Sequence, residues 1–277
     1  GYFDPEKMDV QPKPNPAAGT VDIEYKVEEK SSDQIELSGG FGQGFIVGTL
    51  GLTISNFATR KMFKKGGWDP YPSGDGQRLS LRAQSNGQYY QSYNFSFTEP
   101  WFGGKRPNSL SFSMYHSIQK FGTSGNQSSL KISGASLGLG KRLRWPDDFF
   151  TINYSLNYQH YNLKNYQSGI FEFADGRSNN INLRVQLSRS STDDMIFPQA
   201  GSQFNFSTQI TPPMSLFTGI DYKSASTQDK FKWIEYHKWK FDAMHYTKLA
   251  KNLVLASMVR TGFMGFYNRD IGNSPFE

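Results

Sequence analysis

The feature that most constrains the fold is a pair of strictly alternating segments between residues 89 and 119. Because successive side chains of a strand point to opposite faces, each segment has one apolar face and one small polar face. A soluble sandwich usually carries Lys, Glu and Thr on its polar face, whereas small uncharged residues there favour a barrel wall with lipid outside and an aqueous lumen. The apolar faces carry Tyr89, Tyr93, Phe95 and Phe97, then Leu110, Phe112, Met114 and Ile118; the polar faces carry Ser92, Asn94, Ser96 and Thr98, then Ser109, Ser111, Ser113 and Ser117.

The composition agrees with strands that face a polar interior. Only 36% of the 277 residues are hydrophobic, yet 16% are aromatic. No run of about 18 apolar residues occurs, which excludes a helical membrane span but leaves a membrane β-barrel open. The net charge is +6, and the basic residues are scattered except at 60–65, which indicates lumen and rim charge rather than a nucleic-acid surface. Cys is absent, which excludes disulfides and thiolate metal sites and leaves the compartment undecided.

Eleven segments with strand periodicity follow residue 33, and they predict an all-β chain folded as a transmembrane antiparallel β-barrel. Most are long enough for a tilted membrane strand, which needs about 9 to 11 residues. The tenth has 19 residues and is expected to project beyond the bilayer, with Glu235 or His237 outside the hydrocarbon. An odd number without a closing strand predicts a barrel that is incomplete at its C-terminus. The predicted strands are 34–42, 44–57, 77–86, 89–98, 109–119, 129–143, 149–162, 179–189, 202–211, 229–247 and 251–266.

Residues 1–32 differ from the rest, and they predict the end of a small α+β module that precedes a barrel at 33–277. Pro12 to Pro16 are interpreted as a proline-rich connection. Residues 21–28 then alternate between apolar and charged side chains, which predicts a half-buried strand with a charged outer face. Ser31 to Asp33 are the expected hinge.

The sidedness of the predicted loops follows from strand parity once the N-terminal module is assigned to the periplasm. Segments 58–76, 99–108, 144–148, 190–201 and 248–250 then lie on the periplasmic side, and 43, 87–88, 120–128, 163–178 and 212–228 lie outside. The 58–76 insertion is basic and also carries Met62, Phe63 and Trp68. Two interpretations remain for it: an exposed basic loop, or a short segment at the membrane interface.

Four stretches, taken in order, carry a resemblance to a known family. They are residues 1–30, the glycine-rich 38–44, Phe97-Thr98-Glu99-Pro100-Trp101-Phe102, and Asp193 to Gly201 with Phe197-Pro198. They resemble the end of the last polypeptide-transport-associated (POTRA) domain, the first barrel strand, the Thr-x-Pro-Tyr-Phe turn and the Phe-Pro-x-x-Gly turn of the BamA family. Members of that family are central subunits of the bacterial outer-membrane β-barrel assembly machine.

The resemblance implies an outer-membrane protein whose N-terminal part is periplasmic. The family barrel has about sixteen strands, closed in the even-numbered manner of bacterial barrels, so about five would be missing here. The family's Arg-Gly-Phe motif is absent, since it lies beyond residue 277, and the basic 58–76 insertion is longer than the family's turn. The implied partners are unfolded outer-membrane β-barrel clients, accessory lipoproteins of the assembly machine and the lipid bilayer, with no nucleic acid.

Residues 36–44 are the predicted functional stretch, because Gly39, Gly40, Gly42 and Gly44 weaken one strand and its register. In one interpretation the glycines make room for bulky lumen groups or for a bend. In the other, which the resemblance implies, the strand forms a seam that opens sideways, and a client's terminal strand adds to its edge. The predicted client-binding and lateral-gate residues are Glu36, Leu37, Ser38, Gly39, Gly40, Phe41 and Gly42.

The remaining singled-out residues have structural interpretations. Pro100 and Trp101 predict a turn with an interfacial aromatic anchor, and Phe197, Pro198 and Gly201 predict a second turn. The four histidines, His116, His160, His237 and His245, show no metal-ligand spacing with carboxylates. Asp147-Asp148 and Asp193-Asp194 are interpreted as turn acids rather than catalytic pairs. No metal, no cofactor and no enzymatic activity are expected.

Three functions remain possible at this point. The first is an insertase that folds client β-barrels into the membrane without a nucleotide. The second is a pore of the two-partner-secretion type with the same architecture. The third is a passive porin, against which the strand module before the barrel argues.

Overall fold

The computed structural model describes residues 5–15, 19–28, 33–42, 45–104, 106–122, 127–166 and 173–274. It contains a two-stranded sheet, β1 (Asp9–Asn15) with β2 (Thr20–Lys26), and an eleven-stranded antiparallel sheet whose spatial order follows the chain. This confirms the predicted all-β class and a partial β-barrel. The large sheet consists of β3 (Gln34–Gly42), β4 (Phe45–Phe57), β5 (Gln77–Ser85), β6 (Tyr90–Glu99), β7 (Ser109–Phe121), β8 (Ser128–Arg142), β9 (Phe150–Lys164), β10 (Gly176–Ser190), β11 (Gly201–Ile210), β12 (His237–Ala250) and β13 (Leu253–Gly265).

Strand alternation runs in register across the large sheet and gives it two chemically distinct faces. We call the face with the small polar residues the lumen face and the other the outward face. One lumen-face row consists of Gln34, Thr53, Ser80, Ser96, Ser113, Ser136, Asn157 and Asn182. The adjacent outward-face row consists of Ile35, Leu52, Leu81, Phe95, Met114, Ala135, Tyr158 and Ile181.

Hydrogen bonds between neighbouring strands satisfy the polar groups of the lumen face. Ser113 and Ser136 join their hydroxyls at 2.8 Å, and Thr53 and Ser80 do the same at 3.1 Å. Such cross-strand polar pairs stabilise a sheet by roughly 0.2–1 kcal/mol each. A wall built this way presents hydroxyl and amide groups to water and keeps its apolar side chains on the other side.

Glycines on the lumen face make room for larger neighbours. The Tyr115 ring lies over Gly134, where an added Cβ would collide with it. The ring thereby crosses β8, and Gln159 on β9 donates a 2.7 Å hydrogen bond to the Tyr115 hydroxyl. Gly138 accommodates Ser111 in the same way. These glycines therefore allow side chains to connect strands that are not hydrogen-bonded neighbours.

The sheet has a turn end and a loop end. The turn end holds the segments 58–76, 100–108, 143–149, 191–200 and 251–252, and the loop end holds 86–89, 122–127, 165–175 and 211–236. Within the described residues, no helix is long and apolar enough to cross a membrane.

The predicted 19-residue tenth strand is wrong. β12 begins at His237, and residues 227–230 form the short helix α1, which Ser226 caps by accepting a hydrogen bond from Asp229 N–H at 3.2 Å. Residues 231–236 do not continue β12 but lie beside the loop end of β10, where Trp233 bridges Asn179 in a parallel sense. Their burial does not alternate, since Ile234, Glu235 and Tyr236 are all buried. Glu235 therefore lies in a buried loop rather than on a projecting strand.

The N-terminal hairpin also differs from expectation. Most of the proline-rich connection, including Pro12 and Pro14, lies within strand β1. Prolines at alternate positions suit an edge strand, because they place their missing N–H groups on one side. Val21, Ile23 and Tyr25 of β2 are 55–62% exposed rather than half-buried, because no second layer covers the ribbon in the described residues.

Several predictions fall on residues outside the described ones. These are Gly1, Tyr2 and Phe3, Pro16, the stretch 29–32 with the hinge, the turn residue Gln43, and Gly44.

Candidate functional site: the edge strand β3

β3 is an edge of the large sheet. It pairs with β4 over nine residues, from Gln34 opposite Thr53 to Gly42 opposite Phe45, and β13 forms the opposite edge. Within the described part of the chain, no other strand pairs with β3. An edge strand presents a row of unpaired backbone N–H and C=O groups, which can template pairing with another strand.

The start of β3 is held by side chains of the turn end. One oxygen of the Asp33 carboxylate accepts a 2.7 Å hydrogen bond from the Ser55 N–H of β4. The other accepts a hydrogen bond from the Tyr71 hydroxyl in the 58–76 segment. This basic insertion therefore contacts the residue immediately before β3.

A second contact ties the middle of β3 to β5. Glu36 and Arg82 form an ion pair at 3.0 Å across the intervening strand β4. The pair is possible because Gly51 lies between them: a Cβ there would come within 3.1 Å of Glu36 Cβ and 3.2 Å of its Oε2. Ser38 Oγ also approaches Glu36 Oε1, at 3.4 Å.

The second half of β3 lacks such contacts among the described residues. A Cβ added at Gly39 or Gly40 would have no heavy atom within 4 Å. Neither glycine has a positive φ, so neither is required for a left-handed bend. Among the described residues, neither a close neighbour nor a left-handed φ calls for glycine at these two positions. Glycine also weakens a strand, so both interpretations of the glycines stay open.

The outward face of β3 is strongly exposed and apolar. Ile35, Leu37 and Phe41 are 79%, 84% and 79% exposed. Apolar side chains as exposed as these are stable in lipid. The backbone edge beside them still needs hydrogen-bond partners. The strand is thus held at one end, weak at the other, and apolar along its outward side.

The 58–76 segment is compact around its own backbone. A short 3-10 helix (Thr59–Lys61) follows β4, Arg60 pairs with Asp75 at 2.5 Å, and Trp68 Nε1 donates to the Met62 carbonyl at 2.9 Å. Phe63 is 93% exposed. The exposed ring beside basic residues suits a membrane interface, and the compact fold suits a plain surface loop, so both interpretations stay open.

The structure places Pro100 and Trp101 in the connection between β6 and β7. The Trp101 N–H donates to Glu99 Oε1 at 2.9 Å, and its carbonyl accepts from Gly104 N–H at 2.8 Å. The Trp101 ring is 55% exposed at the turn end of the sheet. This is the position expected for an aromatic residue at a membrane–water boundary.

Phe197, Pro198 and Gly201 lie in and just after the turn 191–200. Asp193 Oδ1 accepts hydrogen bonds from the Ala200 and Gln199 N–H groups, which lower the pKa of its carboxyl below the ordinary value of 3.8. The N–H groups of Phe197 and Ile196 lower the pKa of Asp194 in the same way.

Gly201 combines a φ of 106° with close contact to the chain. A Cβ there would collide with the Ser191 carbonyl oxygen, so glycine is required for two independent reasons.

The histidines and acid pairs form no site of their own. Among the described residues, no group of three or more His, Asp and Glu side chains could hold a metal ion. His116 bonds Ser133 Oγ at 2.8 Å, and His160 bonds Asn179 Oδ1 at 2.8 Å. Asp147 pairs with Arg189 at 2.9 Å at the turn end.

Sequence reasoning found the glycine-rich strand but missed four residues that hold it. The residues are Asp33, Gly51, Tyr71 and Arg82. Asp33 directly precedes β3, and the other three reach Asp33 or Glu36 only through the register of three strands and a loop. Arg82 showed a weak signal, as one of two arginines, with Arg78, on the polar face of β5.

The family follows from a match along most of the chain. The Omp85 superfamily domain matches residues 73–276. The chain belongs to the Omp85 superfamily. Membership and the β-barrel fold imply an outer-membrane location, and they confirm the resemblance drawn from the sequence.

Two solved structures share the fold of this superfamily member. BamA from Haemophilus ducreyi lacking POTRA domains 1–3 has a TM-score of 0.60 at 21% identity, over 100% of this chain and 48% of that one. CdiB from Escherichia coli has a TM-score of 0.51 at 11% identity, over 97% and 47%. The chain spans about half the length of both structures. At these identities the similarity establishes the fold and does not separate an insertase from a translocation pore.

Proposed function

We propose that this chain is the central part of an outer-membrane insertase that folds client β-barrels at the free edge of β3. The observation that carries the proposal is the division of β3 into two halves. The half at Asp33 and Glu36 is held to its neighbours, and the half at Gly39 and Gly40 is not. A strand of this kind keeps its position in the sheet while its far end stays available.

Backbone pairing supplies the recognition in this mechanism. An incoming strand adds to the edge of β3 through main-chain hydrogen bonds, which depend little on side-chain identity. Many different clients can therefore use one edge. The free-energy gain comes from transferring the client's apolar side chains into lipid and from pairing its backbone groups there, so no nucleotide and no cofactor take part.

The held half of β3 sets the register. Because a shift of one residue would move every side chain to the opposite face, an edge that slips would present lumen groups to lipid. The Asp33 and Glu36 contacts prevent such slipping. The predicted gate residues Glu36 to Gly42 thus divide into two groups. Glu36 fixes the strand, while Gly39, Gly40 and Phe41 meet the client.

The hairpin β1–β2 fits the end of a periplasmic POTRA domain at 1–32, followed by the barrel at 33–277. Its exposed Val10, Val21, Ile23 and Tyr25 would be covered by the remainder of an α+β domain. In this arrangement the turn end of the sheet faces the periplasm, where accessory lipoproteins of the assembly machine would dock.

A strengthened β3 tests the proposal. We expect the double variant Gly39→Val, Gly40→Val to fold, since neither position is crowded. Valine favours a strand by about 1 kcal/mol over glycine, so we expect the variant to assemble clients about fivefold more slowly per substituted residue. The measurement is the rate of client barrel folding in proteoliposomes. The matched control is Gly48→Val on β4, where an added Cβ meets only ordinary contact with Ser85 O at 3.8 Å. Equal rates for the double variant and the unsubstituted protein would contradict the insertase proposal.

Depletion in cells separates the insertase from the alternative, a two-partner-secretion-type pore. An insertase should leave many unrelated outer-membrane barrels unassembled. Loss of one secreted protein, with other barrels intact, would favour the pore.

A further inference from the structure

The outward face of β7–β10 changes character step by step toward the loop end. Residues two apart along a strand lie about 7 Å apart on the same face, so paired residues form successive layers. The first layer is apolar and contains Met114, Ala135 and Tyr158. The second is polar and contains His116, Ser133, His160 and Asn179. The third contains Ile118, Lys131, Asn162 and Arg177.

An apolar groove of about 770 Å³ lies in the first layer and extends toward β4. Its outward lining includes Leu52, Leu81, Tyr93, Phe95, Met114 and Tyr158. His116 and Ser133 close the groove on the side of the polar layer.

A cavity of about 660 Å³ lies directly beyond the groove at the loop end. His160, Asn162, Arg177, Asn179 and Lys232 line it. The two spaces are joined by hydrogen bonds, since Asn179 Oδ1 accepts from Tyr158 Oη at 3.1 Å and from His160 Nδ1 at 2.8 Å. The groove and the cavity therefore lie in adjacent outward layers, with Asn179 linking Tyr158 of the groove to His160 of the cavity.

Asn179 also positions Lys232, a cationic residue that lines the cavity. Its backbone N–H and its Nδ2 both donate to the Lys232 carbonyl, at 2.9 Å and 3.2 Å. The Lys232 side chain is therefore carried on a fixed piece of loop.

The basic side chains of this surface have no acidic partners. Among the described residues, no carboxylate lies within ion-pairing distance of Lys131, Lys164, Arg177 or Lys232. Asp229 lines the cavity, and Ser226 Oγ donates to its carboxylate at 2.7 Å. Arg177 and Lys232 against Asp229 give the cavity lining a net positive charge, and Asp175, which accepts a 2.8 Å hydrogen bond from Asn165 N–H, lies two residues before Arg177.

Along the loop end of β5, β6, β11 and β13, the described strand residues on the outward face are uncharged. In the outward row of Lys131 and Arg177, the β5 and β6 positions are Ser85 and Gln91. On the other side, the outward residues at the loop end of β11 and β13 are Ile210 and Gly265.

We propose that this surface binds a phosphate-bearing lipid of the bilayer, with acyl chains in the groove and the phosphate at Lys131, Arg177 and Lys232. The order of apolar, hydrogen-bonding and cationic layers matches the order of chains, ester groups and phosphate along such a lipid. Lysine and arginine near a membrane surface attract anionic headgroups, and arginine binds phosphate oxygens in a bidentate manner. The phosphate end of the site lies on β8–β10 and the 211–236 segment, and the groove extends from there to β4. The proposal does not depend on the insertase proposal.

Native mass spectrometry of the purified full-length protein in a maltoside detergent tests this site. The probes are phosphatidic acid and diacylglycerol with the same acyl chains, so they differ only in the phosphate. We expect phosphatidic acid to be retained over diacylglycerol. The double variant Lys131→Ser, Arg177→Ser should bind phosphatidic acid about tenfold more weakly. The control variant Arg184→Ser, Lys240→Ser loses the same charge from the lumen face and should bind as the unsubstituted protein does.

Three results would overturn the proposal: equal retention of the two lipids, equal loss in both double variants, or displacement of the lipid by inorganic phosphate at the same concentration. If the Lys131→Ser, Arg177→Ser variant does not fold, photocrosslinking of the unsubstituted protein with photoactivatable phosphatidic acid tests the site instead. Adducts should concentrate in residues 127–133, 154–166 and 173–179, and an even spread over β11–β13 would count against the site.

Discussion

The Glu36 carboxylate reaches Arg82 across strand β4, with 3.0 Å between Glu36 Oε1 and Arg82 Nη2. Gly51 of the intervening strand has no side chain to block the path. Both charged side chains are close to half exposed on the lumen face. The edge strand is thus tied to its second neighbour by a contact that water screens.

Breaking this tie should loosen β3 without unfolding the sheet. Exposed ion pairs contribute about 0–1 kcal/mol, so Arg82→Gln should change the overall stability very little. Amide hydrogen exchange of residues 34–40 should nevertheless become several-fold faster, because the strand opens locally. The lumen-face substitution Arg184→Gln breaks no ion pair and is the control. Unchanged exchange in the Arg82 variant would mean that backbone pairing alone holds β3.

Two glycines of the sheet should respond in opposite ways to alanine. Gly134→Ala forces the Tyr115 ring away from Gln159 and is expected to cost about 1–3 kcal/mol. Gly40→Ala meets no atom and should stabilise by about 0.5–1 kcal/mol, because alanine loses less conformational freedom on folding. Denaturant unfolding in detergent measures both. A similar cost at Gly40 would show that its side-chain space is occupied in the folded protein.

Gly201 should tolerate substitution less well than Gly103. Both have positive φ, so alanine at either position should cost about 1–2 kcal/mol in backbone strain. Only Gly201→Ala adds a collision with the Ser191 carbonyl, whereas Gly103 is surrounded by open space. We expect refolding yield and unfolding midpoint to fall clearly further for Gly201→Ala. Equal effects would indicate that the turn 191–200 rearranges freely.

The same turn should loosen in acid. The N–H groups of Ala200 and Gln199 hold the pKa of Asp193 below its ordinary value, so the folded turn favours the ionised carboxylate. Its contribution is fully present above the ordinary aspartate pKa and is lost as the pH falls through the lowered folded value. Amide chemical shifts of Gln199 and Ala200 should follow this titration in detergent micelles, and Asp193→Asn should abolish it. Amide shifts that stay constant over this range in the unsubstituted protein would contradict the assignment.

Much of the sheet could be predicted because alternation is a local signal. In β9 and β10, tyrosines and leucines alternate with Asn, Ser and Gln, and this placed both strands within a few residues of their bounds. Alternation does not predict the structure correctly where a segment pairs with a strand other than the one that precedes it in the chain. Residues 231–236 dock on β10 at Asn179, and their sequence resembles a continuation of β12. The spacing of Ser226 and Asp229, which caps α1, was the available sign of a helical turn at 227–230, where the sequence analysis placed the start of the tenth strand.

The candidate site was predictable only in part. The glycines of β3 stand out in the sequence, because they cluster in a strand that is otherwise well formed. The contacts of Asp33 with Tyr71 and of Glu36 with Arg82 depend on how three strands align, and alignment is not visible from one strand. The lipid surface has the same origin, since Lys131 and Arg177 meet only through the registers of β8, β9 and β10.

Disulfide capture of a stalled client tests the edge-pairing mechanism most directly. The chain has no native Cys, so a single Cys at Phe41 can be paired with a client carrying one Cys in its last strand. Cys at Phe112 and Leu183, which lie on the outward face of β7 and β10, provides matched controls. We predict a crosslink at Phe41 and little at the two controls. Equal crosslinking at all three positions would contradict a lateral gate at β3.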